Sequence, residues 1–94
     1  MGSRLVALRN MVVSSELAGD PDLASEINDE CSKHGRVLDV RIVDHREPSG
    51  RVTIFVLFAE HSGALAAVSS LDRRFFGGRV TSAAVVPEGQ QFGP

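Results

Sequence analysis

The chain has 94 residues, 43% of them hydrophobic and 23% charged, with a formal net charge of −2. That length supports one core and not two, leaves little room for a deep substrate cavity, and the composition excludes a disordered chain. No apolar run approaches the roughly 18–20 residues of a membrane-spanning helix, and the start, Met1-Gly2-Ser3-Arg4, has no apolar segment of a secretion signal. Residues 1–3 read as a cloning remnant. The single cysteine excludes an internal disulfide and fits a reducing compartment. The mildly acidic balance argues against an autonomous nucleic-acid binder, which normally carries a basic footprint.

Leu5–Leu8 is an apolar run closed by Arg9-Asn10 and predicts a first strand. Residues 14–22 are turn-rich, and Asp20 followed by Pro21 predicts a helix start, with Asp20 as cap and Pro21 in the first turn. Leu23, Ile27, Cys31 and His34 then mark one helix face, ending at Gly35. Alternation over Val37–Val43 predicts a second strand, and residues 44–50, with Pro48 and Gly50, a loop. Arg51–Ala59 is the strongest strand: Val52, Ile54, Val56 and Phe58 lie on one face, Thr53, Phe55 and Leu57 on the other. Ala64, Leu65, Ala67, Val68 and Leu71 predict a second helix over residues 62–71, capped by Ser62. A loop over residues 72–78 ends in Gly77-Gly78, Arg79–Val86 is the last strand, and the tail from Pro87 is expected to fray. The order βαββαβ is an α+β, ferredoxin-like arrangement: a four-stranded antiparallel sheet with two helices on one face. Many functions use that topology.

The charge is uneven. Residues 16–30 hold six acids (Glu16, Asp20, Asp22, Glu26, Asp29, Glu30) and no base, whereas residues 73–79 hold Arg73, Arg74 and Arg79 and no acid. Glu26 and Glu30, at i and i+4, share one helix face with Asp29 beside them. Such a face suits basic side chains, although a solvated helix surface has the same look. Cys31 and His34 lie one turn apart, but His45 and His61 stand in separate segments and no second ligand pair completes a zinc site. Cys31 reads as a small core residue. No serine or cysteine has an evident base, and Gly77-Gly78 lacks the residues of a phosphate loop. No enzyme activity, metal, cofactor or small-molecule substrate is expected.

Val6–Met11 and Arg51–Phe58 resemble the first- and third-strand motifs of the RNA recognition motif. In that family the open sheet presents aromatic rings on which bases stack. Here the matching positions are Ala7, Thr53 and Phe55, so one ring remains. Each stacked base is worth roughly 1–3 kcal/mol, and the loss of two platforms removes much of an RNA face. Phe55 and Thr53 are the residual RNA face, and the ring is expected to be covered by the C-terminal tail.

Three features carry a closer resemblance across residues 4–86. Arg74-Phe75-Phe76, followed by Gly77-Gly78-Arg79, is similar to an Arg-X-Phe loop before the last strand. The first helix is acidic. Leu8–Val12 (LRNMV) and Glu30-Cys31 complete the set. Together they resemble the UHM (U2 auxiliary factor homology motif), the peptide-binding variant of the RNA recognition motif, and most of all its members in a 45-kDa and a poly-U-binding splicing factor.

The resemblance implies a protein–protein interaction module of a nuclear pre-mRNA splicing factor. Its partners would be short, disordered, tryptophan-containing basic segments of other splicing factors, such as branch-site recognition proteins, with weak or no RNA binding and no membrane. It assigns the peptide site to Arg74, Phe75, Phe76, Asp20, Glu26, Asp29 and Glu30. Phe76 would supply the ring for the indole, Phe75 a partial lid, and Arg74 a fork for a carboxylate on the helix or the ligand. The alternatives are an RNA-binding domain using Phe55 with Arg41, Arg46 and Arg51, and a ferredoxin-like regulatory domain with a small-molecule pocket.

Overall fold

A computed structural model describes residues 2–46 and 48–91, with the side chains of residues 90 and 91 left aside. In chain order the elements are β1 (Leu5–Val13), α1 (Ser14–Leu17), α2 (Leu23–Cys31), β2 (Val37–Arg46), β3 (Arg51–Phe58), α3 (His61–Leu71), β4 (Phe75–Phe76), β5 (Arg79–Val80), β6 (Ser82–Val86) and α4 (Glu88–Gln91). β2, β3, β1 and β6 form one antiparallel sheet in that order, and β4 and β5 form a separate hairpin. This is the expected α+β sheet with its two long helices.

The alternation read in the sequence fixes both faces of the sheet. Val6 and Leu8 of β1, Val52, Ile54, Val56 and Phe58 of β3, and Ala83 of β6 pack with Leu23, Ile27 and Cys31 of α2 and Ala64, Ala67 and Leu71 of α3. Phe58 and Leu71 are among the largest fully buried side chains and anchor this core. The second face carries Leu5, Ala7 and Phe55, packed with Val43, Leu57 and Val86.

Several boundaries differ from the sequence expectation. β1 does not stop at Arg9-Asn10: Asn10 takes a left-handed conformation (φ 65°), the pairing to β3 shifts there, and Met11 re-enters the core. A β-bulge, not a strand end, explains the polar pair. Ser14–Leu17 is a helical turn inside the segment expected to be only turns. Asp20 does not cap α2, which begins at Leu23. Asp22 holds the cap position without a side-chain hydrogen bond, and Asp20 contributes only its carbonyl, to the N–H of Leu23. α2 ends at Cys31, so His34 and Gly35 lie in the turn beyond it. β2 runs on to Arg46, and α3 begins at His61 with Glu60, not Ser62, before it.

The strand expected over 79–86 is broken at Thr81, whose N–H donates to the carbonyl of Arg74 while its own carbonyl accepts from Arg73. Those two bonds pinch off the β4–β5 hairpin where a plain loop was expected, and Gly77 and Gly78 turn it with positive φ. The tail is not wholly frayed: α4 follows β6, and Glu88 forms an ion pair with Arg4 at 2.7 Å. Residues 92–94 lie outside the described residues.

The turn after α2 meets α3 backbone to backbone. A Cβ placed on Gly35 would stand 2.9 Å from the Cα of Gly63, a contact that backbone cannot relieve by a rotamer change. Gly35→Ala is therefore expected to destabilise the fold by about 1–3 kcal/mol. Gly19→Ala, whose Cβ would meet only the Glu16 carbonyl at 3.7 Å, serves as the near-neutral control in the same urea titration.

Candidate functional site

The apolar face of α2 is not fully covered by the sheet. Between α2 and the β4–β5 hairpin lies a groove of about 440 Å³, within the range of roughly 300–1,000 Å³ usual for ligand sites. Leu23, Ile27 and Cys31 of α2, Met11 and Val12 of β1, and Leu71 of α3 line it with apolar surface. Phe76 forms the opposite wall: it is half-buried, packs against the main core, and still borders the groove. Glu16, Asp20, Glu26, Glu30 and Arg79 stand on its rim.

The hairpin register explains the fate of the two adjacent phenylalanines. Phe75 pairs across with Val80, Phe76 with Arg79. Side chains alternate between faces of a strand, so the Phe75–Val80 pair turns outward, with Phe75 73% exposed, and the Phe76–Arg79 pair turns to the groove. The guanidinium of Arg74 lies over the Phe76 ring, 5.4 Å from its centroid, and its Nη1 stands 3.6 Å from Oε2 of Glu30. A cation over an aromatic face is favourable, so ring, guanidinium and carboxylate fix one another.

Of the residues singled out in the sequence, Asp20, Glu26, Glu30 and Phe76 come together around the groove, with Arg74 bound to two of them. Phe75 and Asp29 do not line it; both are exposed. Glu16, Arg79, Met11 and Val12, named in the sequence only within charge runs and motifs and not assigned to the peptide site, border it as well. The capping-box contact from the Val13 N–H to Glu16 Oε1, at 2.9 Å, comes from a helical turn too short to show a periodic pattern. Arg79 faces the groove because of a hairpin that the alternation did not reveal.

The carboxylates differ in kind. Glu16 titrates below its ordinary range, held chiefly by the Val13 N–H and then by Arg79 at 2.6 Å. Glu30 is also lowered, chiefly by its hydrogen bond from Lys33 at 3.1 Å, with Arg74 adding to it. Glu26 moves the other way: the charge of Asp20 is the largest cause, followed by desolvation and a hydrogen bond with Asp20, and Asp22 adds to it. Among the described residues no cation pairs with Asp20 or Glu26. Burial pushes the Cys31 thiol up to about 11, chiefly by desolvation, so it sits in the groove wall as an inert apolar group. Among the described residues no cluster of His, Cys, Asp and Glu has the form of a metal site.

On the second sheet face the centre is buried and its surroundings are half-buried. Phe55 is 4% exposed, and Leu5 and Ala7 beside it are fully buried. Thr53 is buried as well, its hydroxyl 3.1 Å from Nε2 of His45. Phe55 is buried, and its expected covering by the C-terminal tail involves residues that lie partly outside the described ones. The neighbouring Val43, Leu57 and Val86 contribute to that packing, while the end of the tail lies outside the described residues.

The profile of the RNA recognition motif family matches residues 24–82. The poly(U)-binding splicing factor rnp-6 of Caenorhabditis elegans is 41% identical over 81 residues, covering 86% of this chain and 10% of that protein. Human splicing factor 45 is 39% identical over 83 residues, covering 86% of this chain and 20% of that protein. The solved structure of the Rna15 RNA recognition motif with bound RNA (GU) superposes with a TM-score of 0.68 at 21% identity, covering 94% of this chain and 87% of that one. The chain belongs to the RNA recognition motif family, and these relatives agree with its UHM-type resemblance. It spans about a tenth to a fifth of the splicing factors it matches.

Glu26 makes the stability of the fold depend on pH. Its raised pKa means that the folded chain binds a proton the unfolded chain has already released, so stability is lost as pH rises through the Glu26 titration. Glu26→Gln is expected to leave the melting temperature equal or slightly higher at neutral pH, with the difference closing at acidic pH where Glu26 is protonated. A Glu26→Gln protein that melts lower at neutral pH would contradict the like-charge account.

Proposed function

We propose that the groove between α2 and the β4–β5 hairpin binds a short basic peptide through a tryptophan, and that the chain serves as a protein-recognition module of a nuclear splicing factor. The observation that carries this is the meeting of an apolar slot, a half-buried ring and unneutralised carboxylates in one place. An indole needs apolar walls and an aromatic partner, which Leu23, Ile27 and Phe76 offer. A neighbouring lysine or arginine needs a carboxylate, and Asp20 and Glu26 stand close together on the groove with no cation paired to either among the described residues. A ligand cation placed there is attracted by both carboxylates, more strongly at low salt than at high salt. Arg74, fixed over Phe76 by Glu30, holds the ring that the indole meets. Disordered tryptophan-bearing segments of other splicing proteins fit these requirements. Phe75 and Asp29 join the proposal only as contacts at the margin.

The sheet face supports the same reading by its chemistry. The one ring that could stack a base is buried, and two of the three stacking positions are Ala7 and Thr53. RNA affinity of the unmodified domain is expected to be no tighter than roughly 10⁻⁴ M at physiological salt, the weak edge of non-specific binding.

The test is a calorimetric and NMR titration with a basic peptide carrying tryptophan and with its tryptophan-to-alanine counterpart. Binding of the first at about micromolar strength is expected, with shifts at Glu26, Glu30 and Phe76. Phe76→Ala should weaken it by about 1–3 kcal/mol, the range of an aromatic anchor. Glu26→Lys should weaken it more at low salt than at high salt, because exposed charges are screened. Shifts confined to Thr53 and Phe55 on adding RNA at micromolar concentration, with none around the groove on adding peptide, would replace this reading by an RNA-binding one.

A further inference from the structure

The chain's own cations are shared unequally among the four carboxylates on the groove rim. Glu30 takes Lys33 at 3.1 Å and Arg74 at 3.6 Å. Glu16 takes the Val13 N–H at 2.9 Å and Arg79 Nη1 at 2.6 Å. Asp20 and Glu26 take none among the described residues. Among the described residues lining the groove, Arg79 is the one cation. It reaches from the hairpin to α1 on the other bank, so the acid it neutralises is one that a bound peptide could otherwise use.

The hairpin has other anchors besides this ion pair. Phe76 packs against the core, the side-chain amide of Asn10 donates to the Val80 carbonyl at 3.0 Å, and the bonds among Arg73, Arg74 and Thr81 close its base. Both members of the pair are partly exposed, at 32% for the Arg79 side chain and 45% for Glu16. Exposed ion pairs of this kind are weak and exchange readily.

We propose that Arg79 is a specificity-determining residue of the groove: by occupying Glu16 it masks a further cation-accepting position, leaving a basic ligand only Asp20 and Glu26. This inference rests on the groove's being the basic-peptide site described above. A ligand with extra basic residues then meets a guanidinium instead of a carboxylate, and the domain selects ligands of modest basicity over strongly basic ones. A lysine of the ligand could use Glu16 only by displacing Arg79 from it.

The experiment is a double-mutant cycle on the full chain, read by calorimetry at low and at physiological ionic strength. Two acetylated and amidated peptides serve as probes: Lys-Arg-Lys-Ala-Trp-Ala and Ala-Ala-Lys-Ala-Trp-Ala. Arg79→Gln is expected to tighten the strongly basic peptide by about threefold at low salt, as an exposed charge pair allows, with little effect on the other peptide. Glu16→Gln, which leaves Arg79 charged and unpaired, is expected to weaken the strongly basic peptide. The double variant should lose the gain of Arg79→Gln.

A merely structural strut gives a different pattern: both single variants weaken both peptides alike, and both melt lower. That pattern, or an Arg79→Gln affinity equal to the parent's, overturns the masking role while the parent still binds through its tryptophan. If the parent domain binds neither peptide, the groove reading falls, and this inference with it.

Discussion

The ring of Phe76 belongs to two surfaces at once, and the rest of the site depends on that. One part of it seals the core beside the apolar face of α2, and another walls the groove. A ring wholly in the core would leave a ligand nothing to stack on. A ring mostly in solvent, as Phe75 is, would have too few neighbours to define a slot. The cause is a two-residue strand: β4 pairs with β5, alternation sends Phe75 outward and Phe76 inward, and the bonds at Thr81 keep that register. Arg74 then lies over the ring and ties it to Glu30, so the hairpin and α2 are coupled through one aromatic group.

Charge adds direction to this apolar slot. Two of the four rim carboxylates, Glu16 and Glu30, are paired by the chain's own cations, and among the described residues no cation pairs with Asp20 or Glu26. A fold optimised only for stability would pair or remove Glu26. The sheet face has the opposite character. Leu5, Ala7 and Phe55 are buried there and pack with one another, and the Thr53 hydroxyl meets His45.

Much of this was legible in the sequence. The period-2 alternation of Arg51–Phe58 and the spacing of Leu23, Ile27 and Cys31 determine the sheet faces and the buried side of α2, because burial on one face leaves a strong periodic trace. The paired acids Glu26 and Glu30 followed from helix geometry alone. What escaped were features with short or non-periodic signals: the bulge at Asn10, the single turn of α1, and the hairpin of Phe75–Phe76 with Arg79–Val80. Each depends on contacts distant in sequence, as Asn10 shows by bonding to Val80. Arg79 and Glu16, 63 residues apart, were therefore invisible as a pair. Asp20 was misplaced for a different reason. A carboxylate before a proline is a good capping signal, but here the helix starts later and Asp20 is left on the groove rim.

The chain contains no tryptophan and no tyrosine, so all indole emission in a mixture with a tryptophan peptide comes from the ligand. The most direct measurement is the emission maximum of that peptide as the domain is added. Entry of the indole into an apolar slot beside Phe76 predicts a saturable shift to shorter wavelength that is lost or greatly weakened with Phe76→Ala. Peptide binding seen by calorimetry with the emission maximum unchanged, or a shift that persists undiminished in a folded Phe76→Ala protein, would contradict the account.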